Sequence, residues 1–96
     1  MQKFIVPTFI EYNACQLSTD GLEDFKKFIA GNAYYIDTTF RQMSNKQIPM
    51  EISFKWNPYG DDYPPSVTVK NGQYFLYEEE DKNNYRVIYS DEIEDG

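Results

Sequence analysis

The chain has 96 residues, 41% of them hydrophobic and 18% aromatic, a formal net charge of −7, and no histidine. That length points to one domain with one core, and the aromatic content argues for a packed core, since disordered chains are poor in aromatics. The missing histidine excludes a Ser-His-Asp or Cys-His catalytic arrangement and removes the commonest zinc ligand.

The elements follow from periodicity, taken in chain order. Residues 8–17 read as a strand, with Ile10, Tyr12 and Ala14 on one face and Pro7 at its start, where a missing N–H does no harm. Ser18-Thr19-Asp20 announces a helix, and Asp20 with Glu23 forms a predicted capping box. Leu22, Phe25 and Ile29 repeat at helical spacing beside Phe28, and Gly31 after Ala30 suits a left-handed end. Glu23 and Asp24 near the start and Lys26 and Lys27 near the end suit the helix dipole.

Residues 33–40 read as a strand rich in aromatic and β-branched types. Residues 41–47 are polar and read as a loop. Met50, Ile52, Phe54 and Trp56 then alternate with Glu51, Ser53 and Lys55, the pattern of a half-buried strand. The run Asn57 to Pro65, with three prolines and Gly60, reads as a loop. Val67 and Val69 open another strand. Asn71-Gly72 is the preferred pair for a type I′ hairpin turn, which sends the chain back through Tyr74 to Tyr77. A polar connection, Glu78 to Asn84, precedes a last strand, Tyr85 to Tyr89. The expected fold class is α+β: one helix on a mostly antiparallel sheet of about five strands, ending in a three-stranded meander.

Charge is unevenly placed. Residues 78–96 carry eight acids against two bases, a net −6, whereas residues 1–77 carry eight against seven, a net −1. The acids are Glu78, Glu79, Glu80 and Asp81 in the polar connection and Asp91, Glu92, Glu94 and Asp95 in the tail. No basic patch is present for a phosphate backbone or an anionic membrane, so direct nucleic-acid and membrane binding are not expected. Neither acidic run has the alternating ligand spacing of a calcium loop. The expected partner presents a basic surface. A second candidate surface is the proline-stiffened loop with Tyr59, Asp61, Asp62 and Tyr63, since tyrosines offer large contact area at low entropic cost.

Catalysis, cofactors and metal binding are not expected. The glycines are isolated and form no phosphate loop. Cys15 is the one cysteine, which excludes an internal disulfide and reads as a small buried hydrophobe. With no apolar run of membrane length and an apolar N-terminal stretch too short for a signal peptide, a cytoplasmic location is expected.

Two stretches carry a family resemblance. Val6-Pro7-Thr8-Phe9-Ile10-Glu11-Tyr12 leads into Gln16-Leu17-Ser18-Thr19-Asp20-Gly21-Leu22-Glu23-Asp24-Phe25-Lys26-Lys27-Phe28. Val69-Lys70-Asn71-Gly72-Gln73-Tyr74-Phe75-Leu76-Tyr77 precedes Tyr85-Arg86-Val87-Ile88-Tyr89 and the acidic end. The layout resembles small phage and prophage α+β proteins, whose plan is strand, helix, strands, a Gly-Asp-Tyr strand and a terminal acidic segment. It departs from them at Gly72-Gln73-Tyr74, and the loop Asn57 to Pro65 has no counterpart there. The resemblance covers roughly half the chain and carries over no functional residue. What it implies is context: such genes often encode an inhibitor aimed at a host or defence protein, or an accessory factor. The leading expectation is therefore a non-enzymatic protein-binding module acting through its acidic surface. The alternatives are a DNA mimic, since same-face carboxylates on a strand repeat at roughly 6.5–7 Å, and a structural or assembly module.

Overall fold

The computed structural model describes residues 11–89. In chain order these form β1 (Tyr12–Gln16), α1 (Leu22–Ile29), β2 (Ala33–Met43), β3 (Lys46–Trp56), β4 (Ser66–Lys70), β5 (Gln73–Glu78) and β6 (Tyr85–Tyr89). The strands make two antiparallel three-stranded sheets, ordered β1-β5-β6 and β2-β3-β4. The expected single sheet of five strands is thus two sheets of three.

One cluster of buried side chains joins both sheets to the helix. β3 contributes Ile52, Phe54 and Trp56, β4 contributes Val67 and Val69, and β5 contributes Phe75 and Tyr77. Phe25 and Ile29 come from α1, and Leu17 from the chain after β1. The alternation read from Ile52 to Trp56 and in β4 fills this core, whereas Met50 departs from it: Met50 is exposed and Pro49 is buried, beside the register shift opposite Thr39 and Phe40. In β1 the core-facing side chain is the expected small hydrophobe Cys15, not Ala14. Ala14 is exposed, while Cys15 packs against the core beside Leu17. The part of that strand expected before residue 11 lies outside the described residues.

The helix forms where its apolar spacing requires, but it lacks the expected cap. Gly21 is the N-cap residue and no side chain bonds the free N–H groups, so Asp20 and Glu23 form no capping box. At the other end, Asn32 N–H donates to Ile29 O across a turn in which Ala30 has φ −59° and ψ 143° and Gly31 has φ 89°. These are the angles of a type II turn, which needs glycine at its third position.

Asn71-Gly72 does not form the expected hairpin turn. A type I′ hairpin requires positive φ at both central residues, but of the two only Gly72 has it, at 94°. The turn does not pair β4 with β5; it carries the chain from one sheet to the other. Its donors are taken elsewhere. Asn71 N–H bonds Met50 O at 2.8 Å and Gly72 N–H bonds Leu17 O at 2.7 Å. The Asn71 amide bonds Pro49 O at 2.7 Å, and Lys70 N–H is met by the Gln73 side-chain oxygen at 2.7 Å. The expected three-stranded meander therefore reduces to the β5–β6 hairpin, with β1 on the other side of β5.

Residues 41–47 also depart from expectation. They are not a loop: β2 runs on to Met43 and β3 starts at Lys46, with Ser44 and Asn45 as the whole connection. The result is a long two-stranded arm. The radius of gyration is 15.8 Å, against about 12 Å for a compact chain of this length.

The sheet-switching corner is open to test. Asn71→Ala leaves the backbone angles accessible but strips the amide from Pro49 O. Urea unfolding followed by Trp56 fluorescence should show a loss of about 1–2 kcal/mol. A change within about 0.5 kcal/mol of zero would mean that the amide holds nothing together.

Candidate functional site

The acidic residues of the β5–β6 connection sit in a turn built largely from their own hydrogen bonds. Glu78 N–H bonds Asn84 O at 2.9 Å, and Asn84 N–H bonds Asp81 O at 2.9 Å. The Asn84 amide donates to the Glu78 carboxylate at 2.8 Å and to the Tyr12 hydroxyl at 3.3 Å. Asp81 accepts from Asn83 N–H at 3.2 Å, and Glu79 accepts from the Asn13 amide. Glu80 alone of the four has no hydrogen-bond partner among the described residues. The run of carboxylates is tolerated because amides sit between them and because the turn is solvated.

The loop Asn57 to Pro65 is closed in the same manner. Trp56 N–H bonds Pro65 O at 3.0 Å and shuts its base. Inside it, the Asn57 side chain accepts from Asp61 N–H at 2.6 Å and donates to Asp61 O at 3.1 Å. This leaves the side chains of Asp61 and Asp62 exposed and Tyr63 at 95% exposure.

The fold brings these two candidates together. The Tyr59 hydroxyl accepts from Lys82 N–H at 2.8 Å, and the Trp56 indole N–H donates to Lys82 O at 2.7 Å. Both the backbone donor and the backbone acceptor of one residue of the acidic turn, Lys82, are thus held by residues at the base of the loop. Tyr59 braces the turn, whereas Tyr63 is exposed. Glu11 joins the same end, since Glu79 N–H bonds Glu11 O at 3.3 Å. One end of the molecule therefore carries Glu11, Asp61, Asp62, Glu78, Glu79, Glu80 and Asp81, with Lys82 among them. Asp91, Glu92, Glu94 and Asp95 lie outside the described residues.

Among the described residues no three acidic or thiol side chains gather closely enough to hold a metal ion. No helix there is long and apolar enough to cross a membrane. Cys15 is half-buried against the core, and burial, reinforced by the negative charge of Asp24, pushes its thiol above the ordinary value.

A surface that sequence reasoning missed is the arm. Six large apolar side chains stand exposed on it: Tyr34, Tyr35, Ile36, Phe40, Met43 and Met50. Tyr35 is 78% exposed with φ 56°, at a bulge where Tyr35 and Ile36 face a single residue of β3. A tyrosine held in the left-handed region is strained. Arg41 and Lys46 lie toward the tip, so the far end is basic and apolar while the base is acidic. The available signal was the two-residue spacing Ser44-Asn45 between segments of strand-forming character. It was masked because both faces of the outer arm meet solvent, which removes the apolar alternation that marks a strand.

Comparison of the chain with family models, curated proteins and solved structures returns no match.

Two outcomes follow for these groups. A raised thiol pKa leaves Cys15 protonated at neutral pH, so its alkylation should be several-fold slower than that of a small free thiol and should accelerate only above the ordinary thiol range. Alkylation at the free-thiol rate would contradict its packing. Tyr59→Phe should lower stability by about 1 kcal/mol by leaving Lys82 N–H without its acceptor, measured by thermal or urea unfolding; unchanged stability would show that this contact does not brace the turn.

Proposed function

We propose that the chain is a non-catalytic binding module whose acidic end docks on a basic surface of a protein partner. The observation that carries this reading is the convergence of the loop Asn57 to Pro65 and the turn Glu78 to Asp81 through Tyr59, Trp56 and Lys82. It assembles a negative field and an exposed aromatic side chain, Tyr63, on a pre-braced surface. Such a surface steers a basic partner from a distance and loses little entropy on contact. Tyr63 supplies the apolar anchor that charge alone does not. The resemblance at both chain ends makes a host or defence protein the natural class of partner. Docking is favoured over imitation of DNA, because Glu78, Glu79 and Asp81 are turned onto asparagine side chains and backbone N–H within a turn rather than set out in a row.

The test uses acids whose side chains have no partner among the described residues: Asp61→Asn, Asp62→Asn and Glu80→Gln combined, and Tyr63→Ala separately. A partner is first recovered by pull-down with the wild-type chain and then titrated against each variant. The triple variant should bind roughly tenfold more weakly with a shallower salt dependence, and Tyr63→Ala should bind more weakly at all salt concentrations. Equal affinity and equal salt dependence would overturn the reading. Displacement of duplex DNA from the partner by the wild-type chain would favour mimicry instead.

A further inference from the structure

Among the described residues the outer edge of β2 is unpaired, because β2 ends the sheet order β2-β3-β4. A long open edge is a template for another strand. Which backbone groups face outward follows from the register. Met43 and Lys46 close a two-residue loop, so theirs is a hydrogen-bonded pair, and the pairing alternates from there. Met43, Arg41 and Thr39 therefore turn their N–H and C=O toward β3, and Gln42, Phe40 and Thr38 turn theirs to the open edge. Pro49 agrees with this: it lies opposite Phe40, where β3 needs no N–H.

The side chains along this edge are self-complementary. Asp37, Thr39, Arg41 and Met43 share one face, with Ser53, Glu51, Ile48 and Lys46 opposite them on β3. Neither Asp37 nor Arg41 makes an ion pair or a side-chain hydrogen bond within the described residues, where the one salt bridge is Lys26 to Glu23. A second copy running antiparallel about a two-fold axis at Thr39 sets each Asp37 opposite Arg41 of the other copy. Both charges on the edge are then neutralised, twice over. The same register places Thr38 opposite Phe40, so the outward-facing backbone groups meet as hydrogen-bonded pairs. It also brings exposed Tyr35 beside Met43 of the second copy. A shift of two residues in either direction, the smallest that keeps the faces matched, leaves Asp37 and Arg41 opposite uncharged residues.

We propose that the chain forms a two-fold dimer through the β2 edges, joining two β2-β3-β4 sheets into one six-stranded sheet with reciprocal Asp37–Arg41 pairs across the junction. The bulge at Tyr35 and Ile36 limits the paired stretch and points the strained tyrosine at the tip of the other arm. The arms overlap in opposite directions, so the two acidic ends lie at opposite poles of the dimer. The proposal does not depend on what those ends bind. The paired stretch is short, which places the dimer among weak, reversible assemblies.

Charge exchange tests it. The full chain is examined by analytical ultracentrifugation from about 1 to about 300 µM, spanning the range of weak assemblies. The wild type should move from monomer to dimer across that range. Asp37→Arg sets like charges opposite each other, as does Arg41→Asp, and each alone should remain monomeric with unchanged circular dichroism. An equimolar mixture of the two variants should dimerise, and so should the double variant Asp37→Arg/Arg41→Asp. A monomeric wild type at the highest concentration, wild-type-like self-association of either single variant, or failure of the mixture to associate would each overturn the proposal.

Discussion

The fold depends on the packing of Trp56. Its ring lies 4.8 Å from Phe75 and 5.1 Å from Tyr77 between centroids, with Phe54 at 6.3 Å and Tyr85 at 6.5 Å. Trp56 and Phe54 come from one sheet, and Phe75, Tyr77 and Tyr85 from the other. Phe28 of α1 reaches the cluster at 5.3 Å from Tyr77 and 6.5 Å from Phe75. Contacts of this kind contribute about 0.5–1.5 kcal/mol each beyond the area they bury, and here they join the sheets and the helix in one place. The indole N–H is the polar end of a buried side chain and requires an acceptor. It finds Lys82 O, so the residue that closes the core also positions the acidic turn.

That concentration of aromatic packing at the base of β3 has a consequence at the other end. A small chain has few large side chains, and these are drawn to one cluster. The distal parts of β2 and β3 are left with two-stranded pairing and solvent on both faces. A two-stranded ribbon is marginal alone. Here the arm is rooted in the core through Ile52, Phe54 and Trp56, and clasped partway along by Asn71, which holds Met50 O and Pro49 O. The molecule thus separates an acidic, braced end from an arm with an open edge. Both proposed contacts lie away from the core, so surface substitutions can test them without unfolding the chain.

Local pattern made some elements legible. The spacing of Leu22, Phe25 and Ile29 marks the helix, the alternation from Met50 to Trp56 marks a strand, and the prolines from Asn57 to Pro65 mark a loop. Asn71-Gly72 misleads because its local chemistry suits a hairpin and a sheet-switching corner alike. The decision rests with Met50 O, Pro49 O and Leu17 O, which are distant in sequence and capture the corner's donors. Residues 41–47 mislead for the opposite reason: a strand that buries neither face carries no apolar period. At the candidate site the charged residues were legible as charge. Their convergence was not, since it depends on Trp56 and Tyr59 both reaching Lys82 from more than twenty residues away. The partners that hold Glu78 and Glu79, Asn84 and Asn13, carried no signal of their own.

The central claim is that a body locked around Trp56 leaves an arm whose free edge is closed by a second copy. Residue-resolved amide hydrogen exchange along β2 tests it most directly, compared at about 300 µM and a few µM, the upper and lower ranges of a weak assembly. The account predicts that Thr39, Arg41 and Met43, bonded to β3, are protected at both concentrations, whereas Thr38 and Phe40 gain protection only at the higher one. Rapid exchange of Thr38 and Phe40 at both concentrations would contradict the closed edge, and rapid exchange of all five would contradict the arm itself.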